Sequence, residues 1–194
     1  MADTTYLIAG LGNAGPAFRH NRHNVGFMLI DLLAADLGIR LSRVQQRSIV
    51  GDGRLGPAKL ILAKPQSWMN RSGESVGQLV RYFRLPLTNL VVVYDDLDIP
   101  LGTLRLRPEG GTGGHKGMES IVQHLGSQAF PRLRIGIGRP PGSMDPADYV
   151  LQDFRPNEQE VTDIVLGQAA DCLRRLIEDG IELAMNDCNR GEES

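Results

Sequence analysis

The chain has 194 residues, 41% of them hydrophobic and 23% charged, with a net charge of −2 and two cysteines. That length suits one large domain, because single cores usually divide only beyond about 250 residues. No apolar run approaches the roughly 18 residues that cross a bilayer, and Met1-Ala2-Asp3-Thr4-Thr5 lacks the basic start of a signal or transit peptide.

Charge is spread unevenly. Residues 1–141 hold 17 Lys or Arg against 10 Asp or Glu, whereas residues 142–194 hold 4 against 13. A basic body points to an anionic partner; the acidic end reads equally well as a solvated helix. Neither cysteine belongs to a CxxC pair, and Cys172 falls on the apolar face of a predicted helix. Cys172 and Cys188 are therefore expected to be reduced thiols of a cytoplasmic protein.

In chain order, Tyr6-Leu7-Ile8-Ala9 reads as a buried strand ending at Gly10, followed by a polar loop to Asn24. Val25, Met28, Leu29, Leu32 and Leu33 recur at helical spacing, and Gly38 stops that helix. Residues 48–53 and 59–63 read as two strands joined through 53–57, and 72–83 as a helix closed by Pro86. Leu90-Val91-Val92-Val93-Tyr94 is the most β-branched run and predicts a central strand. A strand over 103–107, a glycine-rich stretch to Gly117, a helix to Leu125 and a strand over 133–137 follow. Pro140, Pro141 and Gly142 open a connection, expected to be a mobile loop over about 138–155. An acidic helix over about 157–186 closes the chain, with Asn157 and Glu160 at capping-box spacing. Strands alternate with helices, so the fold class is α/β in a single domain, with antiparallel pairing where two strands follow in succession.

Three features are candidates to carry chemistry. Gly10-Leu11-Gly12-Asn13-Ala14-Gly15 matches a dinucleotide fingerprint. No helix begins directly after it, however, and no acidic residue ends a second strand about 20 residues on. It reads instead as a tight loop presenting Asn13 at a strand end, where α/β folds place ligands. His23 stands at the mouth of the first helix. Asp95 directly follows the central strand, where a carboxylate can hold an imidazole tautomer, and Asn13 and Asn70 add carboxamides from two other loops. Base, orienter and positioners on one edge make a hydrolytic constellation. A metal site built on His20, His23 and the Asp95-Asp96-Leu97-Asp98 run is disfavoured by the adjacent Arg19 and Arg22. The stretch from Gly110 to Gly117 suits either a flexible loop or an anion cradle. Arg105, Arg107, Lys116, Arg132, Arg134 and Arg139, set against only Glu109 and Glu119, favour the cradle. Trp68, the only tryptophan, reads as core filler.

Taken together, Gly10-Leu11-Gly12-Asn13, Arg22-His23-Asn24-Val25-Gly26, Met69-Asn70-Arg71-Ser72-Gly73, Asp95-Asp96-Leu97-Asp98-Ile99-Pro100, Gly113-Gly114-His115 and Arg132-Leu133-Arg134-Ile135-Gly136-Ile137-Gly138 closely resemble the bacterial-type peptidyl-tRNA hydrolases. The likeness covers nearly the whole chain. It implies a monomer with a twisted, mixed and mostly parallel sheet surrounded by helices. It also implies metal-free, cofactor-free hydrolysis of the ester between a peptide and the terminal ribose of tRNA, which recycles prematurely released peptidyl-tRNA. On that likeness His23 activates water, Asp95 orients it, and Asn13 and Asn70 position water and peptide. Phe18, Met69, His115 and Lys116 are expected to contact substrate, and Arg105, Arg107, Lys116 and Arg134 to contact tRNA. Ala14, Phe18, Asn21 and Lys116 stand where the family usually has Pro, Tyr, Thr and Asn. An ammonium cannot reproduce an amide that donates and accepts, which moves Lys116 toward a phosphate contact. Two other classes compete: a non-catalytic RNA-binding relative of the organellar splicing-factor kind, and a nicotinamide enzyme using the glycine loop.

Overall fold

The computed structural model describes residues 3–190. Its elements are β1 (Thr5–Gly10), α1 (Val25–Leu37), β2 (Arg43–Gln45), β3 (Ser48–Leu55), β4 (Ala58–Pro65), α2 (Ser72–Tyr82), β5 (Leu90–Asp96), β6 (Leu104–Arg107), α3 (Lys116–Leu125), β7 (Arg132–Gly136), α4 (Pro146–Val150), α5 (Gln159–Asp179) and α6 (Ile181–Cys188). The strands form one sheet in the order β2-β3-β4-β1-β5-β7-β6.

A short connection fixes direction at the hairpin and helical crossovers permit parallel pairing elsewhere, although β6 and β7 pair antiparallel across α3. The β3–β4 hairpin turns through Gly56-Pro57 alone, because Leu55 pairs with Ala58, and such a short link forces antiparallel pairing. Strands β4, β1, β5 and β7 pair in parallel, since each link between them in the chain crosses over with a helix. Their C-terminal ends therefore share one edge of the sheet. On β1, Ile8 packs on one face with Leu29 and Leu33 of α1 and Val165 and Leu173 of α5. Leu7 and Ala9 pack on the other with Val76 and Leu79 of α2 and Met118 and Ile121 of α3. Helices cover both faces, which is why these strands read as continuous apolar runs.

The glycine loop after β1 exists for packing. A Cβ on Gly10 would lie 2.2 Å from the Gly26 carbonyl oxygen, and one on Gly26 would lie 2.5 Å from the Leu11 nitrogen. These two glycines let the β1 backbone touch the start of α1, a role that needs no cofactor.

Several expectations change. The exposed edge strand β2 adds three residues beyond β3, too short to leave a periodic signal. The segment between β7 and α5 is not structureless. It contains α4, capped by Asp145, whose Oδ1 accepts the Ala147 N–H at 2.9 Å, with Tyr149 and Val150 buried. The acidic C-terminal region is two helices, broken at Gly180 (φ 91°, ψ 163°). Its start is organised by Glu158 rather than Asn157: Glu158 Oε2 accepts the Arg155 N–H at 2.7 Å, and its carbonyl accepts the Thr162 hydroxyl at 2.8 Å.

The break at Gly180 folds α6 back beside α5 and joins Cys172 to Cys188 in a disulfide, with Cα atoms 5.7 Å apart. The cysteines are not free thiols, and the thiol argument for a reducing compartment falls away. Linear spacing could not reveal this pairing, because it depends on the reversal. No helix among the described residues is long and apolar enough to cross a membrane.

Candidate active site

The shared edge of β4, β1, β5 and β7 opens on a cavity of about 710 Å³, where α/β sheets place their ligands. His23 reaches it from a single 3₁₀ turn, Arg22–Asn24, ahead of α1. Asn24 ties that turn to the β1 loop: its Oδ1 accepts the Asn13 N–H and its Nδ2 donates to the Asn13 carbonyl, both at 2.9 Å. Arg22 anchors the other side. Its buried guanidinium pairs with Glu158 at 2.8 Å and lies 4.5 Å from the Tyr149 ring centroid.

Asp95, almost fully buried near the end of β5, bonds two imidazoles. His23 Nδ1 lies 2.8 Å from Oδ2 and 3.0 Å from Oδ1, and His115 Nε2 lies 2.8 Å from Oδ1. His115 is the N-cap of α3, where its Nδ1 accepts the Gly117 and Met118 N–H groups at 3.1 and 3.3 Å. An Nδ1 that accepts fixes the proton on Nε2, so His115 donates to Asp95. Facing the same carboxylate, His23 donates from Nδ1, which leaves the lone pair on its Nε2. Burial alone would push the Asp95 carboxyl up; the facing imidazoles and their hydrogen bonds outweigh it and hold the group well below the usual carboxylate range.

Asn13 Oδ1 accepts the Met69 N–H at 2.8 Å, leaving Nδ2 as the donor available to a ligand. Met69, Asn70, His115 and Lys116 line the same cavity. Lys116 is exposed on the first turn of α3 and pairs with Glu119 at 3.1 Å. Phe18 stands outside the cavity lining and meets Trp68 edge-on, 5.8 Å between centroids. Trp68 is no core residue: 59% exposed, it forms part of the cavity wall.

The remaining cations lie on β6 and β7. Leu104 and Leu106 are buried while Arg105 and Arg107 share the other face, as strand alternation requires. Arg105 stands opposite Arg134, and Arg107 opposite Arg132. Like charges in register repel; burial first, then Arg107 and Arg134, holds the Arg105 guanidinium below its ordinary value. Arg134 is offset by Asp96 at 2.8 Å. Arg132 is buried and donates to the carbonyls of Gly110 at 2.7 Å, Gly111 at 3.1 Å and Gln128 at 2.6 Å. Part of the expected anion cradle is already committed within the protein. A cation grips the loop's carbonyls, and the first amides of α3 are taken by His115.

Trp68 in the cleft wall is the residue that reading the chain misplaced, and the bond from His115, expected at the site, to Asp95 is the contact it did not foresee. An N-cap position was the available signal for the contact, because His115 directly precedes the helical pattern; nothing local marked the exposure of Trp68. Among the described residues, His23, Asp95 and His115 also form the cluster with metal-ligand composition, their donor atoms within 4.8 Å of one another. Both nitrogens facing Asp95 carry protons that a cation would have to displace.

The family model described as peptidyl-tRNA hydrolase matches residues 7–194. A mitochondrial peptidyl-tRNA hydrolase of Oryza sativa is 50% identical over 190 residues, covering 97% of this chain and 76% of its own. A chloroplastic group IIB intron splicing facilitator of Zea mays is 45% identical over 175 residues, covering 90% and 68%. A solved peptidyl-tRNA hydrolase from Acinetobacter baumannii superposes with a TM-score of 0.90 at 35% identity, over 95% of this chain and 94% of that one.

Proposed function

The chain belongs to the peptidyl-tRNA hydrolase family, and from that premise we propose that it cleaves the peptide–tRNA ester by metal-free attack of a water that His23 deprotonates. The observation that carries this reading is the Asp95 carboxylate accepting from His23 Nδ1 at 2.8 Å, which leaves Nε2 as a base on a cavity large enough for an acyl group and a ribose. Water held on Nε2 attacks the ester carbonyl, and the proton it loses goes to His23. Asn13 Nδ2 donates to the oxygen that gains charge, and Asn70 holds the peptide main chain. When the tetrahedral intermediate collapses, His23 returns the proton to the departing 3′-oxygen of the ribose.

An ester needs no covalent intermediate for this. General-base help is worth roughly 10²–10⁴-fold, and one well-placed donor to the oxyanion about 10²–10³-fold. Arg105, Arg107 and Arg134 hold the tRNA backbone, with Lys116 near the terminal phosphates. The protein works as a monomer in the cytoplasm and recycles peptidyl-tRNA released before translation ends.

The test is cleavage of a peptidyl-tRNA by wild type and His23→Ala, with and without EDTA. Wild type should cleave equally in both, and the variant should be inactive while retaining the wild-type melting curve. An active variant refutes the base assignment, and EDTA inhibition refutes the metal-free step. The likeness to a splicing facilitator favours a second reading, RNA binding without cleavage; a wild-type protein that binds tRNA and leaves the ester intact would establish it.

A further inference from the structure

The C-terminal helices support the strand that carries two of the arginines assigned to tRNA. Strand β6 is four residues long and lies at the edge of the sheet, with β7 as its strand neighbour. Its Arg105 and Arg107 stand in register with Arg134 and Arg132, so like charges work against that pairing. The outer side of β6 is held by a side chain instead of a further strand. Asn189 Oδ1 accepts the Leu106 N–H at 2.8 Å, and Asn189 Nδ2 donates to the Leu106 carbonyl at 3.1 Å. One carboxamide thus replaces a ladder partner, at the residue between the two arginines.

The disulfide one residue earlier keeps Asn189 in place. Helix α6 has eight residues and one fully buried side chain, Ala184, so it is too short to stand without tertiary support. The Cys172–Cys188 bridge fastens its last residue to α5. That bridge is also within reach of a reagent. A cavity of about 590 Å³ is lined by both cysteines and by Gly102, Thr103 and Leu104, which lead into β6. Cys172 is 4% exposed and Cys188 is half-buried, which directs an attacking thiolate to the Cys188 sulfur.

We propose that the Cys172–Cys188 bridge is a thiol–disulfide exchange site for a dithiol reductant, and that its state sets how firmly β6 presents Arg105 and Arg107 to tRNA. The inference rests on the reading above that those arginines hold the tRNA backbone. In the exchange, a reductant thiolate attacks Cys188 Sγ, the S–S bond breaks, and Cys172 leaves as a thiolate that takes up a proton. The second reductant thiolate then attacks the reductant's own sulfur in the mixed disulfide and releases Cys188. The reductant loses two electrons and two protons as it closes its own disulfide, and the protein gains them as two thiols. Without the bridge α6 loosens, Leu106 loses its carboxamide partner, and nothing outside β6 opposes the repulsion between the arginines. His23 and Asp95 sit ahead of α1 and on β5, so the chemistry is spared.

The experiment compares oxidised wild type, wild type reduced with dithiothreitol, Cys188→Ser and Asn189→Ala, with Arg105→Ala plus Arg107→Ala as the reference. It measures Kd for deacylated tRNA, kcat and KM for a peptidyl-tRNA, and free thiols by maleimide labelling. Reduction should expose both thiols and raise Kd and KM by about fivefold, the low end of a typical coupling between sites, with kcat unchanged. Cys188→Ser should match reduced wild type and ignore dithiothreitol. Asn189→Ala should weaken tRNA binding with the bridge intact. A folded protein whose bridge resists dithiothreitol overturns the exchange site. An unchanged Kd on reduction, or a fall in kcat of the same size, overturns the link to β6. A reference variant that binds tRNA as well as oxidised wild type refutes the arginine assignment, and the inference with it. Redox-dependent tRNA binding without cleavage refutes the hydrolase reading and upholds this one.

Discussion

Replacing Asp95 by Asn probes how two histidines share one carboxylate. An asparagine has one accepting oxygen and one NH₂ group. With the oxygen toward His115 Nε2, its NH₂ takes the place of Oδ2, which at 2.8 Å is nearer His23 Nδ1 than Oδ1 at 3.0 Å, and favours a nitrogen that accepts. The proton of His23 moves to Nε2 and the base is lost. The opposite orientation would preserve His23 but set NH₂ against the N–H of His115. Relief would require His115 to surrender its bonds from Gly117 and Met118. At about 0.5–1.5 kcal/mol each, those two bonds favour the inactive arrangement by about 1–3 kcal/mol. That corresponds to roughly a 5–150-fold excess of the wrong tautomer, before the lost stabilisation of the imidazolium is added. Asp95→Asn should therefore lower kcat by about 10²–10⁴, the full general-base contribution. Adding His115→Ala frees the asparagine to turn its oxygen to His23, so the double variant should regain on the order of tenfold over Asp95→Asn. Peptidyl-tRNA hydrolysis measures the rates, and ¹⁵N shifts of His23 report the tautomer. An Asp95→Asn enzyme within tenfold of wild type, or one whose His23 keeps its proton on Nδ1, would refute the reasoning.

Two further outcomes are expected. Arg105→Ala with Arg107→Ala should raise KM for peptidyl-tRNA and reduce the slope of log KM against log salt by up to about 1.8, the value for two phosphate contacts; an equal effect on a minimal aminoacyl ester would count against backbone contact. Cys188→Ser removes a cross-link between residues 16 apart, which should cost about 3 kcal/mol, or roughly 6–12 °C in Tm for a domain of this size. Calorimetry with reductant should reproduce that loss in wild type and leave the variant unmoved, and a reductant-insensitive wild type would show that the bridge contributes nothing.

The local pattern of the chain was enough to set its class and to point to the residues that gather at one cavity. Period-two and helical spacing are written in neighbouring residues, so β1, β5, α1 and α2 could be read directly, as could the shared face of Arg105 and Arg107. Asn13 and Asp95 could be placed at strand ends, each following an apolar run, and Asn70 on a loop, and their motifs carried the family likeness. What the tertiary structure alone decided depends on contacts between distant segments. Trp68 is exposed because the cleft opens beside it, although its composition suits a core. His115 meets Asp95 because α3 packs so that its N-cap reaches the end of β5. Of the arginines on β6 and β7, Arg132 is the one turned inward, because carbonyls of the glycine loop and of Gln128 converge there to accept its hydrogen bonds. The cysteines meet only because Gly180 reverses the chain. Spacing along a chain determines which face a side chain occupies; only packing determines what lies opposite that face.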